Sequence, residues 1–361
     1  MPKQQDGPKE LSAFDRHNFI WKNDTFTWHQ KRADQIRKKY GDKIKQLEGN
    51  DPSSIFYFIL ASASHWVIAV ILGQYFSDSY CTIALFGWVL GGFWTTSAGL
   101  AMHEAAHQLV FKGRWPSLAA AVIAQMPLFL PAFKTFQFYH LPHHSFCTIN
   151  PDDFNRTSVQ KDKDKKPIYD LDLPTEFEAW LFSSNPLTRV CFLFLQVLLY
   201  AFRPMLLSPK PLYLEDLIGF ITQSLYIGSA MSYGGWGTFV YLIASTFLGS
   251  GLHVSAIHFI AEHYLLTEDT AYTSDKSKVQ DTFSYYGPIN HVLYNGGYHV
   301  EHHDFPRVSW KNLPKVTQIA PEFYYNIPHH NSYLEVMFRF IFNHPGLWQR
   351  IKRCDREIKE E

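Results

Sequence analysis

Lysine and arginine are missing from two long stretches of this chain, Asp51–Phe111 and Pro211–Asp275, although the sequence holds 33 of them. A cation at the centre of a bilayer costs several kcal/mol, so two stretches without one are what membrane crossing requires. Charge is scarce overall, at 18% against roughly 25% in an ordinary soluble domain. The formal net charge of zero gives no case for nucleic-acid binding. Cysteine is scarce too. The four present (Cys81, Cys147, Cys191, Cys354) show neither CxxC spacing nor a paired pattern, which argues against a disulfide framework or a thiolate metal site. No cleavable signal peptide is visible, because residues 1–50 are polar and mix acids with bases, so the first apolar segment has to serve as insertion signal.

What is present is aromatic and apolar. Residues 1–50 read as a cytoplasmic N-terminal arm with one basic helix near Thr27–Leu47, residues 51–353 as a membrane domain, and residues 354–361 as a polar tail. Crossings are expected near 55–76, 81–102, 217–232 and 236–257, each close to the ~20 apolar residues that span a bilayer. They pair into hairpins through Ser77-Asp78-Ser79 and Tyr233-Gly234-Gly235. Neither turn carries Lys or Arg whereas every other extramembrane segment does, so the positive-inside rule puts both termini in the cytoplasm. Ser117–Phe133, broken by Pro127 and Pro131, reads as interfacial or re-entrant. Trp180–Leu207, with Arg189 and Arg203, reads as lying along the surface. The expected fold is an all-α membrane protein, with four transmembrane helices in two hairpins under a helical cytoplasmic cap.

Histidine carries the chemistry. Of 18 histidines, eight fall into three tight groups: His103-Glu-Ala-Ala-His107, His140-Leu-Pro-His143-His144 and His299-Val-Glu-His302-His303. Residues three and four apart share a helix face, so each group can aim its imidazoles together. His143 and His144 diverge by about 100° on a helix of about 3.6 residues per turn, so one trio can address two metals. Eight to ten imidazoles exceed one metal's coordination shell, and imidazole alone admits iron, copper, zinc or nickel. His258 and His263 are delivered to the same boundary by the fourth crossing; at five-residue spacing they do not share a face, and His263, farther into the cap, is preferred. His253 reads as a buried polar helix residue, and His65, His291, His329, His330 and His344 as ordinary core or surface histidines. HEAAH also matches the HExxH pattern of zinc proteases, but that reading leaves both HxxHH groups unused. Glu104 is then a partner for a ligand histidine or an exposed helical acid. A metal transporter would place its ligands near the bilayer midplane, whereas every clustered histidine here falls at or beyond the end of a crossing.

HxxxH, HxxHH and HxxHH at these intervals resemble the membrane fatty-acid desaturase superfamily. HFIAEHY (258–264), YYGPIN (285–290), GYHVEHHDFP (297–306), APEFYYNIPHHNSY (320–333) and Trp28-His29 before a basic helix resemble its sphingolipid delta-4 desaturases. The resemblance runs from about residue 15 to 353. It implies a di-iron centre held by His103, His107, His140, His143, His144, His263, His299, His302 and His303, with His258 as a further candidate. It implies electrons from cytochrome b5, a reductase and NAD(P)H, and removal of hydrogens from C4 and C5 of the sphinganine chain of a dihydroceramide in the endoplasmic reticulum membrane. C4 hydroxylation and acyl-lipid desaturation of other regiochemistry are the alternatives within the class. Lys31, Lys38, Lys311 and Lys315 are candidates for docking acidic cytochrome b5. The Met-Pro-Lys start lacks the Met-Gly of N-myristoylated chains, so that anchor is not expected. The Gly-Gly-Tyr before the third group departs from flanks common in the family and leaves desaturase against hydroxylase preference open.

Overall fold

Long apolar runs with few breakers fold as helices, and the computed structural model shows where each run stops. It describes residues 19–22, 28–146, 149–150, 170–266, 280–343 and 345–354. The rest of the N-terminal arm, the tail after Cys354, and His344 lie outside the described residues. Helix α1 (Trp28–Lys45) is the basic helix of the arm. Helix α2 (Ser54–Tyr75) turns at residues 76–79 into α3 (Tyr80–Phe86), which runs through a π-helical turn at Gly87–Gly91 into α4 (Gly92–Ala106). These two arms are antiparallel: Phe86 meets Phe76 near the turn, and the Trp94 indole donates to Ser64 Oγ at 2.8 Å farther down.

Helices α5 (Arg114–Gln125), α6 (Phe133–Phe146), α7 (Glu176–Phe182) and α8 (Pro186–Leu207) follow, and then α9 (Leu214–Phe247). Gly235 interrupts α9 with φ 67° and ψ −159°. The first half of α9 runs alongside α2 in the same sense, Ser62 and His65 meeting Tyr226 and Trp66 meeting Ser229. The second half runs alongside α3 and α4, with Gly91 and Thr95 against Ser245. Since α2 and α4 oppose each other, the chain reverses at Gly235, a backbone conformation that favours glycine. The crossing of α2 and α9 is close because glycines line it: a Cβ at Gly237 would lie 2.9 Å from Gly73 Cα, and one at Gly73 would lie 2.5 Å from Gly234 O.

One expectation needs correction, and a second meets an alternative. The helix expected to run to residue 257 ends at Phe247, and residues 248–257 form turns. Gly249 and Gly251 are the reason. A Cβ on Gly249 would meet Gly92 Cα at 2.4 Å and one on Gly251 would meet Leu193 O at 2.9 Å, so the bare backbone packs directly onto α4 and α8. The second point concerns α8, whose length and composition also suit a crossing. Among the described residues three helices are long and apolar enough to cross a membrane, Ser54–Tyr75, Tyr80–Ala106 and Pro186–Leu207, so by length and composition α8 is among them and α9 is not. The arginines that pointed to a surface position are buried. Arg203 donates to Glu178 Oε1 at 3.0 Å and to the carbonyls of Leu171, Asp172 and Leu173 at 3.0–3.1 Å.

The remaining chain caps this bundle with short helices, including α10 (His258–Ala261) and α11 (His299–Asp304). Trp28 and Ile36 of α1 share a core with Val300, Phe305, Val308, Leu313 and Tyr324, so the arm lies over α11. The fold is not purely helical: β1 (Ile20–Lys22), β3 (Ile351–Cys354) and β2 (Ile149–Asn150) form a small parallel sheet in that order, with Ile20 opposite Ile351 and Ile149 opposite Arg353.

Candidate metal centre

Three helix ends meet under the first hairpin. Helix α4 ends at His107, where Gln108 takes φ 56° and the chain turns away. Helix α6 brings His140, His143 and His144, and α11 brings His299, His302 and His303. Nine imidazoles gather there in two groups: His103, His107, His140, His144 and His302 in one, and His143, His263, His299 and His303 in the other. Within each group every residue offers a ligand atom within 4.8 Å of the others.

The division follows helical geometry. On α6 the i, i+4 pair (His140, His144) enters the first group and the i+3 residue (His143) enters the second. On α11 the assignment is reversed: His299 and His303 enter the second group and His302 the first. The pair four apart differs by only about 40° around the helix, while the neighbours in sequence differ by about 100°. The groups adjoin, with His144 and His303 stacked at a centroid distance of 4.4 Å and His143 and His144 at 5.8 Å.

Some of the rings are held in orientation from behind. His143 Nδ1 lies 3.0 Å from Asp170 Oδ1 and 3.5 Å from Asp172 Oδ2. His263 Nδ1 lies 3.1 Å from the Asp281 carbonyl, whereas His299 Nδ1, at 3.6 Å from Glu262 Oε1, is beyond hydrogen-bond reach of it. Such partners fix the tautomer and turn the other nitrogen toward a metal. His29, on α1, stacks on His303 at 4.9 Å while its Nδ1 and Nε2 meet Asp304 at 2.7 Å and Thr282 at 2.8 Å.

In front, the Nε2 atoms face one another. His107 and His140 approach to 3.1 Å, His140 and His144 to 2.9 Å, His144 and His302 to 3.2 Å, and His263 and His299 to 3.1 Å. Burial holds these rings neutral. It pushes His107 down to about 3, with a smaller push from His143, and it lowers His140, His144, His263, His299, His302 and His303, again with neighbouring imidazoles adding to it. For His143 burial works downward, but Asp170 and Asp172 outweigh it and its pKa rises. Facing lone pairs on neutral rings, and a buried His303 Nε2 with no hydrogen-bond partner, are what a cation in each group relieves. The donor set therefore fits two metal ions, with nitrogen ligands suited to iron, copper or zinc.

Other expected residues lie elsewhere. His258 belongs to neither group, and its Nδ1 lies 3.0 Å from Ser255 O. Glu104 Oε1 is 3.9 Å from His103 Nδ1, beyond hydrogen-bond reach, while its other oxygen accepts from the Trp310 amide at 3.0 Å. Lys311 pairs with Asp51 at 2.9 Å and sits over Tyr57, so it is tied inward, whereas Lys31, Lys38 and Lys315 are exposed. Asp170, Asp172 and Asp281 escaped the sequence reading, and His29 entered it only through the resemblance, with no place at the site. None lies in a histidine motif, and only the Asp304 that directly follows His303 stood next to one.

Residues 80–334 match the fatty acid desaturase family. The chain belongs to that family. It is 34% identical over 344 residues to a sphingolipid delta(4)-desaturase of Schizosaccharomyces pombe, covering 94% of this chain and 89% of the relative. To the sphingolipid delta(4)-desaturase DES1 of Homo sapiens it is 33% identical over 349 residues, 95% of this chain and 97% of the relative. To the sphingolipid delta(4)-desaturase/C4-monooxygenase DES2 of Rattus norvegicus it is 33% identical over 336 residues, 92% and 94% of the two chains. As a member of this desaturase family with three membrane-length apolar helices, it is a membrane oxidoreductase.

Proposed function

We propose that this desaturase introduces the double bond between C4 and C5 of the sphinganine chain of a dihydroceramide, in the endoplasmic reticulum membrane with both termini cytoplasmic. The observation that carries the reading is the pair of adjoining imidazole groups, divided between α6 and α11 so that each helix serves both. His103, His107, His140, His144 and His302 hold one iron and His143, His263, His299 and His303 the other, with His258 outside the ligand set. Bound iron supplies the activation of dioxygen; two electrons, passed from NAD(P)H through a reductase and cytochrome b5, complete the reduction to water as the lipid loses two hydrogens. The chain's own part is to keep the rings neutral and correctly turned, to exclude water, and to hold C4 and C5 against the centre. The four crossings proposed are α2, the run from α3 to α4, and the two halves of α9 as a second hairpin beside them, although α8 is by length and composition also able to cross.

Hydroxylation at C4 is the second reading, favoured by the bifunctional name of the rat relative. Expression in cells lacking the endogenous activity, followed by mass spectrometry of their ceramides, tests both. Loss of two hydrogens marks desaturation and gain of one oxygen marks hydroxylation; an unaltered sphingoid base overturns both. His143→Ala and His144→Ala each abolish product and each lower iron content by one of the two ions. Full iron in either variant refutes the ligand assignment.

A further inference from the structure

Oxidation at C4 places the reacting carbons close to the polar end of the lipid. The hydroxyl at C1 is on the order of 5 Å from C4, a few bonds of ~1.5 Å each. A protein that acts there must hold the head within a side chain's length of its histidines. One cavity of about 340 Å³ meets that demand, at the mouth between α4, α5, α6 and α9. Its polar lining includes Gln108, Arg114, Lys134, Gln137, Tyr213 and Glu215. Gln108 directly follows His107, and Gln137 is three residues before His140 on α6, a spacing that sets Cβ atoms roughly 5–6 Å apart. Phe133, in the cavity wall, lies one turn before Phe136, whose ring stacks on His140 at 4.5 Å.

We propose that this cavity receives the uncharged hydroxyl and amide head of the substrate lipid, an inference that rests on the sphingoid reading above. The polar groups are arranged for it. Lys134 Nζ donates to Gln137 Oε1 at 3.1 Å and sits over the Tyr213 ring at 4.8 Å, which leaves further N–H groups to give. Glu215 is 5% exposed; Arg114 Nε donates to its Oε1 at 2.6 Å, while its Oε2 is buried with no hydrogen-bond partner. An orphaned buried carboxylate oxygen costs free energy until a donor reaches it. A hydroxyl or amide N–H brings that donor. A phosphate in place of the C1 hydroxyl removes that one donor and sets a negative charge beside Glu215, in a cavity that Arg114 and Lys134 also line. The apolar side chains of Leu118 and Phe133 in the same wall provide the start of a path for the chains.

The test is equilibrium binding of two labelled lipids to the purified full chain in detergent: an N-acyl sphinganine, and the same lipid lacking both hydroxyls. The wild type favours the hydroxylated lipid by at least about tenfold, the effect of one or two hydrogen bonds. Lys134→Met, Gln137→Leu and Glu215→Leu each reduce that preference about three- to tenfold while affinity for the dideoxy lipid holds. Equal binding of the two lipids by the wild type, binding of neither, or an undiminished preference in all three variants overturns the proposal. Ceramide analysis from the same preparations separates it from the reaction assigned above. Head preference without oxidation at C4 refutes the reaction alone, and C4–C5 unsaturation without head preference refutes the cavity alone.

Discussion

Asp170 offers a way to weaken one metal ion and leave its neighbour in place. Its carboxylate has no exposed surface and stands 3.0 Å from His143 Nδ1, with Asp172 at 3.5 Å as a weaker second partner. His143 belongs only to the group with His263, His299 and His303. Removing the orienting partner of a ligand histidine costs 10–100-fold in metal affinity, or about 1.4–2.7 kcal/mol. Asp170→Asn keeps an oxygen that can accept the Nδ1 proton but loses the charge, so the lower end applies. Asp170→Ala leaves the proton to Asp172 alone and takes the upper end. The assay is metal content by mass spectrometry after dialysis against graded chelator. The wild type releases two equivalents. In the alanine variant one equivalent leaves at about 100-fold lower chelator strength and the other is unmoved. A common shift of both equivalents, or an unmoved curve, refutes the assignment of His143 to one group only.

Arg203→Met destabilises the solubilised protein by about 3–5 kcal/mol, because it strands a buried Glu178 and releases three carbonyls; thermal unfolding followed by intrinsic fluorescence measures it, and a melting point within a degree or so of wild type contradicts it. Gly73→Val forces α2 off α9, since even its Cβ would lie 2.4 Å from Thr238 Oγ1; overpacking of this kind costs about 1–3 kcal/mol or more, and yield of monodisperse protein reports it. Lys352 is buried, and desolvation pushes its pKa down to about 7 from 10.5. Between those values the unfolded chain binds the proton that the folded chain has released, so stability rises with pH across that window. Lys352→Met removes that rise, and denaturation curves at pH 7 and pH 9 show whether it does.

Both the nine gathered histidines and the first hairpin were legible in the sequence, because regular spacing is a local property and helices convert spacing into direction. The partners behind the rings were not. Asp170 and Asp281 reach the site from irregular chain, where no period ties position to direction, and His29 reaches it from a helix that the sequence placed only in a polar arm. The end of α9 at Phe247 was hidden for a different reason. Residues 248–257 are apolar enough to continue a helix, and what stops them is contact of Gly249 and Gly251 with α4 and α8, a tertiary fact. For α8, two arginines outweighed an otherwise apolar run, although burial against Glu178 and three carbonyls accommodates one of them fully.

The crossed assignment of α6 and α11 has a mechanical consequence. Each rod carries one lone prong and one forked pair, set in opposite order, so turning either rod loosens the grip on both ions together. A rotation or shift of either rod as a body cannot retune one half of the centre without disturbing its twin. Independent adjustment falls to single side chains and their partners: His103 and His107 on one side, His263 and the Asp170 behind His143 on the other.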